Sequence, residues 1–272
     1  MPSRRPTRPS ASPARRRRAS PRTAALLSIP ALILALIVGA LSLGETEAGP
    51  VPSAPASIPV PSAGAGGGED TFPAGFVSAG LASDVLAKIP VRGRAPGTGY
   101  DRVARFGTAW FDVEKNGCDT RNDILARDLT AVETRGGCRV LSGVLNDPYT
   151  GTEIHFERGE KTSMAVQIDH VVALKNAWQT GAQALTDDRR RELANDPINL
   201  LAVDGPTNSQ KGDGDAATWL PPRRASWCGY AARQVSVKAA YGLWMTAAEH
   251  DRIGQILESC PSQEAARSPL AG

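Results

Sequence analysis

The sequence predicts an α+β fold, with short apolar strands and amphipathic helices interleaved in one domain over residues 74–262. Three observations lead there. Residues 139–157 alternate apolar and polar side chains on both sides of a turn, Asp147-Pro148-Tyr149-Thr150-Gly151. Two apolar strands, Met164–Ile168 and Asn199–Val203, enclose a charged helical stretch, Asp187–Ala194. Two further helical segments, near Trp227–Tyr241 and Thr246–Ser259, form a C-terminal helical hairpin.

The chain ahead of this domain has another composition. Residues 1–23 are Arg, Pro and Ser, expected to be a disordered basic tail. Ala24 to Leu43 holds no charged residue, and with Gly44 closes a segment 24–44 behind that basic tail. The pattern is that of a secretory signal. It is also about long enough to cross a bilayer, for which roughly 20 residues are needed. Thr46-Glu47-Ala48 is a poor cleavage site, so a cleaved signal and a retained anchor both stay open. Either places the domain outside the cell, secreted or held on the outer membrane face. Residues 45–73 are rich in Pro, Gly, Ala and Ser, the composition of a disordered linker. Residues 263–272 are expected to be a flexible end.

The charge follows this division. Of 31 basic and 28 acidic residues, eight Arg and two Glu lie in residues 1–50; the remaining 23 and 26 leave residues 51–272 at −3. A polyanionic partner must therefore be held by a local patch, because the domain offers no attractive net field. The four cysteines, Cys118, Cys138, Cys228 and Cys260, include no CxxC pair, which argues against a zinc ribbon. An even count in an exported chain argues for two disulfides. Of three connectivities, Cys118–Cys138 with Cys228–Cys260 is expected, since each pair flanks one local unit.

Taken in order, Gly80–Ile89 has helical apolar spacing and Pro90 stops it. Asn116-Gly117 marks a turn, and Asp119 or Thr120 caps a helix through Leu129. The hairpin around Asp147 follows. Met164–Ile168 then delivers Asp169 and His170 at a strand end. Val172–Trp178 is a helical turn, and Asp187–Ala194 an exposed helix. Gly205-Pro206 turns the second apolar strand into Thr207–Lys211, a helix N-terminus.

Val166 to Asp213 concentrates the chemistry. A neutral imidazole accepts a proton near pH 7, which makes His170 a general base. Asp169 and Asn208 supply oxygens suited to a hard cation. Lys211 and the helix start after Pro206 favour a phosphate nearby. Arg121 either clamps that phosphate or pairs with Asp119 or Asp123. Successive strand residues face opposite ways, so Asp169 and His170 share a site only at a twist or strand end. This set suits phosphodiester hydrolysis, which needs an activated water, a cation and a stabiliser of developing charge. The remaining histidines, His155 and His250, suit a cross-strand pair and the surface. The five tryptophans suit the core.

IDHVVAL followed by INLLAVDGPTNSQKGD resembles the HNH or His-Me finger endonucleases, and most of all the subgroup forming the C-terminal domain of GmrSD-type restriction enzymes. The likeness extends through GCDTRNDILARDL, DPYTG, WLPP and WCGYAARQVSVKAAYGLW, roughly Tyr100 to Cys260. It implies a ββα-metal finger embedded in the mixed domain. It implies that Asp169 is a metal ligand, His170 the general base, Asn199 the tie of the ββα loop and Asn208 the metal-proximal residue. Lys211 follows at the N-x-x-K spacing. Asn stands where the family name implies a final His, and one carboxylate with one amide suits Mg²⁺, or Mn²⁺, better than zinc. The expected protein is an exported, monomeric metal-dependent endonuclease acting on DNA, with RNA a second substrate class and no small-molecule cofactor. The alternative class is a non-catalytic extracellular nucleic-acid-binding or surface protein on a nuclease fold.

Overall fold

Asp147 shows how this chain builds its framework. Its carboxylate accepts from Thr150 N at 2.7 Å, which closes the DPYTG turn, and from Asp204 N at 2.9 Å, which lashes that turn to a strand 57 residues on. The computed structural model describes Phe72 and residues 75–271. All of these belong to one unit of the chain, Pro61–Gly272. The tail, the apolar segment 24–44 and the linker lie outside the described residues, Phe72 excepted. Among the described residues no helix is long and apolar enough to cross a membrane.

The domain is mixed α+β with small sheets. Strand β1 (Ser78–Leu81) leads into helix α1 (Ala82–Leu86) and then α2 (Arg102–Phe106). Helix α3 (Thr120–Asp128) precedes the antiparallel sheet β2 (Thr130–Arg135), β3 (Arg139–Asn146) and β4 (Glu153–Glu157). Strand β5 (Val166–His170) pairs antiparallel with β6 (Leu200–Asp204) across an insert holding α4 (Leu174–Gln179) and α5 (Asp187–Asn195). Helix α6 (Gly205–Lys211) follows β6 directly. Helices α7 (Trp227–Ala240) and α8 (Ala247–Glu258) close the chain, and β7 (Glu264–Ala266) pairs with β1.

Four segments depart from the sequence expectation. Gly80–Ile89 is not one helix: Ser78–Leu81 is drawn into strand pairing with β7 and the helix is short. Residues 263–271 are no flexible end, because Ala265 and Ala266 are buried and Ala266 N donates to Ser236 Oγ at 2.9 Å. Phe72, counted with the linker, packs at a tilt against Phe76 and under the Arg233 guanidinium. Helix α5 is not wholly exposed either. Arg190 is buried and donates to the carbonyl of Arg105 at 2.9 Å, which fastens α2 to α5.

The core sets the site's position. Ile124, Leu125 and Leu129 of the α3 segment, Leu145 and Phe156 of the three-stranded sheet, and Val166, Ile168, Leu200 and Ala202 of β5–β6 form one buried cluster. The β5–β6 pair is thus pressed onto the sheet by one face. Helices α4, α5 and α7 pack around Phe106, Trp178, Leu193 and Ile198. At the start of α6, a Cβ on Gly205 would lie 2.0 Å from Met164 O, so only glycine lets the helix begin this close to β5.

Both disulfides take the local pairing, Cys118–Cys138 and Cys228–Cys260, with Cα separations of 5.4 and 6.3 Å. The second ties the ends of α7 and α8. Replacing Cys228 and Cys260 together by Ala should lower stability by about 2–4 kcal/mol through a freer unfolded chain. Urea midpoints of the purified variant and wild type measure this, and equal midpoints would refute it.

Candidate active site

Asp169 and His170 end β5, and the strand's two-residue period sends them apart. In the β5–β6 register His170 lies opposite Leu200 and Asp169 opposite Leu201. The Asp169 carboxylate is buried between two donors from distant parts of the chain. Tyr149 of the DPYTG turn donates its hydroxyl to Asp169 Oδ2 at 2.5 Å, and Lys211 Nζ lies 2.8 Å from Oδ1. Lys211 also donates to the His170 carbonyl at 2.7 Å. Its side chain has no exposure, so it is not the open phosphate contact the sequence suggested. Tyr149 sits edge-on to Trp219 and Tyr230, with centroids at 5.1 and 5.8 Å. Burial first, and then the Asp169 charge, push its hydroxyl well above the usual tyrosine range, so it stays a donor.

His170 is 8 % exposed. Its Nε2 lies 2.9 Å from the carbonyl oxygen of Ala194. A carbonyl only accepts, so Nε2 carries the proton and Nδ1 is left as the ring's acceptor. Trp110 lies nearly parallel to the ring, 17° between planes and 6.3 Å between centroids. Burial lowers the imidazole from its ordinary 6.5 to about 4, with the charge of Arg102 acting the same way. The ring is therefore neutral at pH 7.

Asn199 is fully buried and works on the backbone. Its Oδ1 accepts from Val172 N at 2.8 Å and its Nδ2 donates to Leu193 O at 3.1 Å. The side chain thereby ties the segment after β5 to the end of α5. Asn208 is half-buried. Its Nδ2 donates to Gln167 Oε1 at 2.9 Å, while its Oδ1 has no hydrogen-bond donor among the described residues. Arg121 does not join this group. Its guanidinium donates to Val166 O at 3.2 Å, at the other end of β5, and it does not line the cavity that His170 lines. Burial and the neighbouring Arg158 lower its pKa.

Asp169, His170 and Asn208 line one open cavity of about 430 Å³. Tyr100, Arg102, Lys175 and Asp213 complete its charged and polar wall. Lys175 pairs with Asp213 at 2.8 Å. Nothing in the sequence marks Tyr100 or Arg102 as cavity residues, and DPYTG signals a turn without singling out Tyr149. Among the described residues no group of three or more His, Cys, Asp or Glu is placed to hold a metal ion together.

The family model described as GmrSD restriction endonucleases, C-terminal domain, matches residues 119–256, just over half of the chain. The chain belongs to this family. An "uncharacterized secreted protein" of Arthroderma benhamiae is 36 % identical over 190 residues, covering 69 % of this chain and 89 % of that protein. No solved structure matches. The GmrSD C-terminal domain match carries a nuclease-related function and nucleic-acid binding with it. It runs from the α3 cap into α8 and takes in Tyr149, Asp169, His170, Asn199, Asn208 and Lys211. Tyr100, Arg102 and Trp110 precede it.

Two measurements probe this geometry. A histidine whose pKa is lower folded than unfolded binds fewer protons folded between the two values. Its contribution is therefore complete above pH 6.5 and lost as pH falls towards about 4, on the order of 3 kcal/mol in all. His170→Asn should show a smaller fall in urea midpoint between pH 7.5 and 4.5 than wild type; equal falls would disprove the assignment. Lys211→Met should lose about 3–5 kcal/mol by leaving the buried Asp169 carboxylate without its cation. Adding Asp169→Asn should recover part of that loss, and a neutral Lys211→Met would contradict the buried pair.

Proposed function

We propose that the protein is an exported endonuclease of the HNH type that hydrolyses phosphodiester bonds, chiefly of DNA, with a divalent cation. One observation carries the reading: a buried neutral histidine, its tautomer set by a backbone carbonyl, lines one cavity with a carboxylate and an amide oxygen. Strands β5 and β6 with α6 would then be the ββα-metal finger, and Asn199 the tie that shapes its loop.

The donor set fits a hard cation. Among the described residues Asn208 Oδ1 is without a donor, and each Asp169 oxygen keeps a further lone pair beside its present partner. Asp169 and Asn208 would hold Mg²⁺ or Mn²⁺, with the rest of the shell left to water and phosphate oxygens. When bound, the cation would supply positive charge opposite the developing oxyanion. The chain's own residues do the remainder. His170 Nδ1 takes the proton of the attacking water, while Nε2–H on Ala194 O keeps the ring oriented and shares the resulting positive charge. Tyr149 and Lys211 fix the Asp169 carboxylate so that its direction does not drift.

Export is supported by the basic and apolar segments at residues 1–44, by the two disulfides and by a relative described as secreted. A second reading has its own observation. Both Asp169 oxygens already hold partners, which suits a non-catalytic nucleic-acid-binding module as well.

Digestion of plasmid, single-stranded DNA and RNA separates the two. The purified protein should cut in Mg²⁺ and stop in EDTA. His170→Ala should lower the rate at least about 10²-fold, the usual weight of a general base, with its circular dichroism unchanged. Cleavage by His170→Ala at the wild-type rate would remove the histidine from the chemistry. No cleavage by wild type with any added divalent cation would leave the binding module.

A further inference from the structure

We propose that Arg102 is the side chain that grips the substrate phosphate beside His170. The assignment rests on the endonuclease reading above and names the residue that makes its substrate contact.

Two cationic side chains line the cavity, Arg102 and Lys175, and a third, Lys211, reaches Asp169 and the His170 carbonyl behind its wall. Lys211 is buried on Asp169. Lys175 is paired with Asp213. Arg102 is exposed and makes no hydrogen bond or ion pair among the described residues. An uncommitted guanidinium at a site for a polyanion is open to take a phosphate with two parallel hydrogen bonds. Arg121, the candidate from sequence, faces Val166 instead.

The position of Arg102 is specific to the chemistry. A narrower cleft of about 40 Å³, lined by Trp110 and Ala194, adjoins the larger cavity. Arg102 and His170 line both. A phosphodiester whose phosphorus faces His170 therefore passes the guanidinium. The backbone under Arg102 is held on three sides. Asp101 caps α2 by accepting from Ala104 N at 2.8 Å. Phe106 is buried edge-on to Trp178 at 6.4 Å. Arg190 of α5 fastens the helix through Arg105 O. The guanidinium is thus carried by a fixed backbone yet has no partner among the described residues. It also lies outside residues 119–256, so the family match alone does not supply it.

Binding and cleavage test this in the full-length protein. Labelled duplex DNA is titrated by anisotropy over a range of salt concentrations in the His170→Ala background, where the substrate stays intact. Adding Arg102→Ala should weaken binding about tenfold and reduce the slope of log K against log salt by about 1, as expected for one lost phosphate contact. With His170 present, Arg102→Ala should cut kcat/KM by about 10²-fold, the scale of a lost charged contact to a transition state. Arg102→Lys should keep the salt slope but recover only part of the rate, because an ammonium lacks the two-pronged geometry. Arg135→Ala, which removes an exposed charge away from the cavity, should change none of these. Thermal midpoints should be equal throughout, since Arg102 holds nothing in the fold. Unchanged slope and rate in Arg102→Ala would overturn the assignment while leaving the endonuclease reading standing. Absence of both binding and cleavage in wild type would overturn both.

Discussion

A carboxylate held out of water dictates much of this domain. Asp169 is buried, and a buried charge is tolerated only with partners at hydrogen-bond distance. Those partners come from opposite sides in sequence: Tyr149 from 20 residues before and Lys211 from 42 residues after. The DPYTG turn, β5 and α6 must therefore meet, whatever their separate preferences. Other features serve that meeting. Asp147 locks the turn to β6, and Gly205 lets α6 start against β5. The Tyr149–Trp219–Tyr230 group closes the apolar side, so the phenol cannot swing away.

The same constraint divides labour between adjacent residues. One step along β5 reverses the facing direction, so Asp169 enters the polar lock while His170 turns to the insert. The insert then supplies a carbonyl for Nε2, from Ala194 at the end of α5, which fixes the tautomer. Asn199 keeps that carbonyl in place, because its side chain joins Leu193 to Val172 across the two ends of the insert. The insert between the strands is thus part of the site's frame, and the short apolar strands alone would leave the imidazole without a fixed tautomer.

Much of this was legible in the sequence, for local reasons. Strands β5 and β6, the capped α3, the β3–β4 hairpin, the C-terminal hairpin and the disulfide pairing all follow from patterns within a few tens of residues. What was missed is long-range. The polar stretch Thr130–Arg135 carries no apolar alternation and becomes a strand only beside β3. The β1–β7 pair joins segments of four and three residues from the two ends of the domain, too short to signal themselves. From sequence Lys211 is expected to be an open cation, because lysine is almost never fully buried. Its burial follows from Asp169, and no property of its neighbours in sequence announces it. Arg102 was lost among 31 basic residues, and only a cavity wall singles it out.

The placement of charge gives these corrections a common cause. Beyond residue 50 the chain carries a net −3, yet its family binds a polyanion. A domain of that sign cannot rely on a broad attractive field, whose reach in any case is about 8 Å at physiological ionic strength. It needs specific cations kept free at the point of contact. The fold commits most of its well-placed ones: Lys211 to Asp169, Lys238 to Glu249 between α7 and α8, Arg94 to Asp215, Arg127 to Asp128. Each commitment stabilises structure and removes one candidate for the substrate. Affinity for a nucleic acid would then rest on few contacts, with a correspondingly shallow dependence on salt. Discrimination would come from the shape of the cavity around His170 more than from charge.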